Sequence, residues 1–250
     1  MSTKIALVTG ATAGIGEATA IKLAAEGWKL ILTGRREERL VDLVNRLDVP
    51  TMLLRVDMRD RQAVEDALDK LPDDWKNIDL LINNAGLSQG LEPIHNGNPD
   101  DWDTMLDTNV KGLLYVSRVV SRWMIEREIK GQIIHVSSTA GKEVYVNGNV
   151  YCASKHAVEA LAKGMRLELN PYGIRVGTVS PGMVETEFSI VRFKGDKARA
   201  AKVYEGFEPL RAEDVADGIL FMVNRPPHVN ISDLLIMPTA QAASMVVKRS

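Results

Sequence analysis

Tyr151 and Lys155 stand four residues apart in a stretch, 150–169, whose apolar residues recur at helical spacing (Val150, Ala153, Ala157, Val158, Leu161, Ala162, Met165, Leu169) and which closes at Asn170-Pro171. Positions i and i+4 share a helix face, so the phenol and the ammonium are neighbours. A phenol has an ordinary pKa of about 10; making it a proton donor and acceptor at neutral pH takes a shift of about three units, or roughly 4 kcal/mol. A fixed ammonium about 4 Å away supplies about that much at an effective dielectric of about 20. The expectation is that Lys155 lowers the Tyr151 pKa and that its loss moves a pH–rate profile to alkaline values. Taken alone, the same spacing also describes a partly buried tyrosine beside a surface lysine.

A second chemical element lies near the start of the chain, where Thr9-Gly10-Ala11-Thr12-Ala13-Gly14-Ile15-Gly16 separates an apolar strand from an apolar-periodic helix. Glycines there allow a sharp turn and bring backbone N–H groups and the helix N-terminus to a pyrophosphate. About twenty residues further on, where an acid would accept from a ribose 2′-OH, the sequence carries Arg35-Arg36. Planar guanidinium forks suit a 2′-phosphate, which favours NADP over NAD; a solvated pair opening the next helix is the plainer alternative. Asn83-Asn84-Ala85-Gly86 and Ser137-Ser138 each follow a strand-like run. Asn109 interrupts the apolar stripe of a helix expected over 102–120 (Trp102, Met105, Leu106, Leu113, Val116, Val120). A buried amide there either makes a structural hydrogen bond or anchors a water-mediated proton path to Lys155.

These groups need a scaffold that brings distant segments to one edge. Runs at 5–9, 30–33, 51–55, 79–83, 132–137, 174–179 and 231–237 read as strands, with six stretches long enough for helices between them. Their continuous apolarity implies burial on both faces, hence an α/β fold: one domain with a doubly wound parallel sheet and helices on both faces. The charged, weakly periodic segment 183–206 reads as a lid. A net charge of −2 with dispersed Lys and Arg offers no stripe for nucleic acid and no membrane patch. Cys152 is the single cysteine, and the four histidines lack ligand-like spacing, so neither disulfides nor a metal site is expected. Without a signal-like start or an apolar run of about 18 residues, a cytoplasmic location is expected.

Taken together, Thr9-Gly10-x3-Gly14-Ile15-Gly16, Asn83-Asn84-Ala85-Gly86, Asn109, Ser138, Tyr151-x3-Lys155 and Pro181-Gly182-x3-Thr186 resemble the short-chain dehydrogenase/reductases, in order and over nearly the whole chain. The resemblance implies a Rossmann-like sheet of seven strands and hydride transfer between NADP(H) and a hydroxyl or carbonyl. It implies that Ser138 binds the substrate oxygen, that Tyr151 gives or takes the proton, that Lys155 also holds the nicotinamide ribose, and that Asn109 anchors a water relay. By the same resemblance Gly10, Thr12, Ala13, Gly14, Ile15 and Gly16 hold the pyrophosphate, and Asp57 and Met58 meet the adenine. Asn84, Ala85 and Gly86 lie beside the ribose, while Pro181, Gly182, Val184 and Thr186 meet the nicotinamide end. Ala13 stands where many NADP-selecting members carry a basic residue, leaving selection to Arg35 and Arg36.

Asn83-Asn84-Ala85-Gly86-Leu87, Gly148-Asn149-Val150-Tyr151, Thr186-Glu187-Phe188-Ser189 and Val191-Arg192-Phe193-Lys194-Gly195-Asp196 are similar to the branch that oxidises 3-hydroxy acids and serine-like amino acids with NADP, whose members are homotetramers. An acid substrate needs a cation, and Arg192 or Lys194 is then either its carboxylate partner or solvated lid charge. A broad NADPH-dependent aldehyde/ketone reductase and a non-catalytic NADP(H)-sensing protein are the rival functions; the complete Ser138, Tyr151 and Lys155 set opposes the second. For the cofactor, Arg35→Ala combined with Arg36→Ala is expected to weaken NADPH much more than NADH in a nucleotide-fluorescence titration. Equal losses would make the arginines structural.

Overall fold

The computed structural model describes residues 3–250. Seven strands, β1 (Ile5–Val8), β2 (Lys29–Gly34), β3 (Thr51–Arg55), β4 (Leu80–Asn83), β5 (Gln132–Val136), β6 (Arg175–Pro181) and β7 (Asp233–Ile236), form one sheet in the order β3-β2-β1-β4-β5-β6-β7. Every pairing in it is parallel. The seven expected runs are these strands, with ends displaced by up to two residues.

Alternation along each strand sends side chains to two cores. Ile5, Leu7, Ile31, Leu81, Ile133 and Val176 pack with helices α3 (Arg61–Asp69), α5 (Leu113–Glu126) and α6 (Asn149–Leu169). Ala6, Val8, Leu30, Leu32, Ile82 and Ile134 pack on the opposite face with α1 (Gly14–Ala25), α2 (Glu37–Val44) and α9 (Ala212–Val223). Chain direction across the sheet reverses between β1 and β4, which opens a crevice at their carboxyl ends, where doubly wound sheets bind ligands.

Two expectations are revised. The helix anticipated over 102–120 is α4 (Pro99–Leu106) and α5 joined through a π-helical segment, Asp107–Gly112. Asn109 lies in this wide turn, a geometry that concentrates at functional sites. Gly112 packs so tightly on Met58 that a Cβ there would come within 2.8 Å of its backbone oxygen. The segment 183–206 contains two short helices, α7 (Phe188–Arg192) and α8 (Lys197–Lys202), and a β8–β9 pair (Gln241–Ala243 with Val246–Val247) lies beyond β7. Elements this short carry no periodic signal. No helix among the described residues is long and apolar enough to cross a membrane.

On the α5–α6 face a polar row crosses four strands in register: Asn83, His135, Thr178 and Asp233. Asn83 Nδ2 donates to Ser117 Oγ (2.8 Å) and lies 3.1 Å from His135 Nδ1. At the other end Lys142 Nζ bridges Glu159 and Asp233, 2.7 Å from each, and Ser180 Oγ donates to Glu159 (3.0 Å). Burial, helped by the charge of Lys155, pushes the His135 imidazole down to about 3. The folded protein therefore keeps His135 neutral while the unfolded chain takes up a proton below about pH 6.5, so stability is lost as pH falls from there toward 3. Urea unfolding across pH 6.5–4 should show this as a slope of about 1.4 kcal/mol per pH unit beyond the carboxylate contribution. His135→Gln should remove that part of the slope; an unchanged slope would contradict it.

Candidate active site

At the switch point the loop after β1 presses on the end of β4. Thr9 Oγ1 accepts from the backbone N–H groups of Asn84 and Ala85, both at 3.0 Å, and Asn84 Nδ2 donates back to the Thr9 carbonyl at 2.9 Å. A Cβ on Gly16 would lie 2.4 Å from Asn84 Nδ2 and 2.5 Å from the Gly10 carbonyl oxygen, so only glycine fits there. Gly10 and Gly14 have φ of 66° and 57°, the left-handed region that favours glycine. Helix α1 begins with no side-chain cap on its first turn, so its N–H groups are available to an anion.

A continuous cavity of about 390 Å³ runs from this loop to Tyr151. Gly10, Thr12, Ala13, Gly14 and Ile15 line one end, with Arg35, Arg36, Asp57 and Met58 beside them. Asn84, Ala85 and Gly86 form its floor, and Pro181, Gly182, Val184 and Thr186 its far wall. Ser138, Tyr151, Lys155 and Arg192 meet at the inner end. Gly16 stands behind the loop as a packing position. Asn109 is buried behind Gly86: its Oδ1 accepts from Leu87 N–H (2.8 Å), and its Nδ2 donates to Leu87 O (2.8 Å) and Ser154 Oγ (3.0 Å).

The residues fit a phosphorylated dinucleotide. The uncapped α1 N-terminus and the close glycines suit a pyrophosphate, and Arg35 faces the cavity beside Asp57. Burial, which would raise the Asp57 pKa, is outweighed by hydrogen bonds from Arg59 and by the charges of Arg59 and Arg35. Arg36 NH1 donates to Glu187 Oε2 (2.9 Å) and its NH2 to Thr12 Oγ1 (3.1 Å), while Arg39 NH1 donates to Glu187 Oε1 (2.7 Å). The hydrogen bond from Arg36, assisted by Arg39, holds the Glu187 carboxyl below its ordinary range.

At the inner end burial dominates the electrostatics. Burial is the main influence raising the Tyr151 phenol well above its ordinary pKa; neighbouring Tyr145 adds to this, and Arg192 and then Ser138 act in the opposite direction. Arg192 is thus the cation that opposes the rise of the phenol pKa most directly. Lys155 Nζ donates to the Val136 carbonyl at 2.9 Å, and its own pKa is lowered to about 8 by burial, against the opposing charge of Glu159.

The two cations of the segment 183–206 separate. Arg192 Nε donates to Ser88 Oγ (3.1 Å) and NH2 to Tyr145 Oη (2.9 Å), with its guanidinium carbon 5.1 Å from the Tyr151 ring centre and 5.0 Å from that of Phe188. Lys194 does not line the cavity: its Nζ is paired with Asp101 on α4 (2.8 Å), away from the position expected of a substrate anchor. Ser88 and Tyr145, which orient Arg192, belong to no sequence motif, and Glu187 stands in the sequence only as part of Thr186-Glu187-Phe188-Ser189; the folded chain alone brings all three to their arginine partners.

Residues 4–197 match the short chain dehydrogenase family model. The NADP-dependent 3-hydroxy acid dehydrogenase YdfG of Salmonella typhi is 45% identical over 98% of this chain and 100% of its own length. Sulfoacetaldehyde reductase 2 of Chromohalobacter salexigens is 44% identical, with 96% of each chain covered. Among solved structures, the closed form of a serine dehydrogenase complexed with NADP+ superposes with a TM-score of 0.93 at 45% identity, covering 98% of this chain and 100% of that one. A glycine loop at the switch point, a serine, tyrosine and lysine at the inner end of one cavity, and a family match over most of the sequence lead to one conclusion: the chain belongs to the short chain dehydrogenase family.

Proposed function

We propose that this protein transfers hydride between NADP(H) and the hydroxyl or carbonyl carbon of a small 3-hydroxy acid or serine-like substrate. The observation that carries the substrate class is Arg192, a guanidinium fixed by Ser88 and Tyr145 beside the Tyr151 ring, deep in the dinucleotide cavity. A half-buried cation with a rigid fork suits a carboxylate two bonds from the reacting carbon. The names of the relatives support this reading, because 3-hydroxy acids, serine and sulfoacetaldehyde all carry an anionic head. An anionic aldehyde is therefore the second reading, since a sulfonate would meet the same guanidinium.

Gly10, Thr12, Ala13, Gly14 and Ile15 would hold the dinucleotide pyrophosphate, Asp57 and Met58 its adenine, Asn84 to Gly86 its ribose, and Pro181, Gly182, Val184 and Thr186 its nicotinamide end. When bound, the dinucleotide accepts or donates the hydride and, when oxidised, brings a positive charge near the phenol. Ser138 donates a hydrogen bond to the substrate oxygen, and Tyr151 Oη takes the hydroxyl proton in oxidation and returns it in reduction. Arg192 stabilises the phenolate as well as the substrate anion, while Lys155, anchored on the Val136 carbonyl, presents its charge to the ribose. Asn109 fixes the turn at Leu87 and ties it to α6 through Ser154, whose hydroxyl donates to the Tyr151 carbonyl at 2.7 Å. The segment 183–206 serves as the lid that keeps water from the reacting atoms. Exposed Leu114 on α5 and Leu167 on α6 support a homotetramer built on these helices, which sedimentation would test. A cytoplasmic location remains part of this reading.

Tyr151→Phe should lower turnover by about 10²- to 10⁴-fold while leaving NADPH affinity nearly unchanged. Full activity in that variant would remove the mechanism. Arg192→Met should raise KM for 3-hydroxy acids by about 10- to 100-fold, the loss of one charge-assisted pair, and leave KM for neutral ketones nearly unchanged, while turnover of both falls as the phenol loses its neighbouring cation. Wild-type turnover of neutral ketones but of no hydroxy acid or anionic aldehyde would instead establish the broad reductase.

A further inference from the structure

Arg35 and Arg36 are adjacent in sequence but unequal in the fold. Both line the cavity, yet no hydrogen bond or ion pair among the described residues engages the Arg35 side chain, whereas the Arg36 guanidinium is committed at both ends. One end meets Thr12 in the glycine loop and the other meets Glu187, 151 residues further along the chain. Arg39, near the start of α2, takes the second oxygen of the same carboxylate. Glu187 directly precedes α7 and follows Thr186, whose methyl group would lie 3.2 Å from a Cβ on Gly14. The lid base therefore reaches across the glycine loop to the end of β2, over the place where the pyrophosphate must lie.

Resting on the NADP reading above, we infer that Glu187, Arg36 and Arg39 form a clasp across the dinucleotide groove, which leaves Arg35 as the cation that reads the 2′-phosphate. One carboxylate held by two guanidiniums ties the lid to the cofactor half of the protein. A dinucleotide beneath it leaves only when both contacts open. The three side chains are 41–45% exposed, so salt screens the clasp, unlike contacts sealed inside the groove. Arg36 and Arg39 thus act on retention of either dinucleotide, while Arg35 acts on the choice between them.

Stopped-flow fluorescence of NADPH and NADH release from the full-length protein separates these roles. Glu187→Gln, at an exposed position, should release both nucleotides about three- to tenfold faster and leave their affinity ratio unchanged. Wild-type release should accelerate with added sodium chloride, and that of the variant much less. Release from Glu187→Gln at the wild-type rate would overturn the clasp. So would tighter NADPH binding, which would make Glu187 a competitor for the 2′-phosphate site. Arg35→Ala should collapse the NADPH preference while NADH release stays at the wild-type rate. An unchanged preference would overturn the Arg35 assignment. Equal affinity of the wild type for both nucleotides would instead overturn the NADP reading, leaving the clasp to be judged by NADH release alone.

Discussion

The structure depends on how closely the first loop approaches the fourth strand. Thr9 and Asn84 exchange backbone and side-chain hydrogen bonds across the reversal in strand order, and Gly10 and Gly16 allow a separation that a methyl group would prevent. That contact fixes the start of α1, and with it the direction in which the uncapped N–H groups point. It also places Gly86 beside Asn109 and Lys155: a Cβ at Gly86 would lie 3.2 Å from Asn109 Oδ1 and 3.4 Å from Lys155 Nζ. Phosphate recognition and proton chemistry therefore share one backbone junction.

Around that junction, charge is set more by burial than by pairing. His135 stays neutral in a polar row, Lys155 loses part of its basicity, and Tyr151 is held as a phenol. A low-polarity surround strengthens each interaction made inside it, so one well-placed cation can do much. Arg192 occupies that position, and Ser88 and Tyr145 hold it there. Helix α7 thus contributes a charge that acts on the phenol from outside the Tyr151 helix.

The glycine spacing, the strand runs and the Tyr151 and Lys155 pair were legible without coordinates, because each follows from a local rule: steric freedom at a turn, alternation on a strand, or neighbouring positions on a helix. Seven parallel strands and one cavity edge followed from continuous apolarity and right-handed crossovers. Long-range pairing was not legible. Arg35 and Arg36 look equivalent in the chain and so do Arg192 and Lys194, yet Arg36 meets Glu187, Lys194 meets Asp101 and Arg192 meets Ser88 and Tyr145. The π turn at Asn109 was hidden as well, since its sequence continues a helical stripe. The sequence by itself determined which groups exist and on which element each is carried. Only the tertiary structure decided which charge faces which partner, because burial and pairing depend on distances between segments that no local pattern encodes.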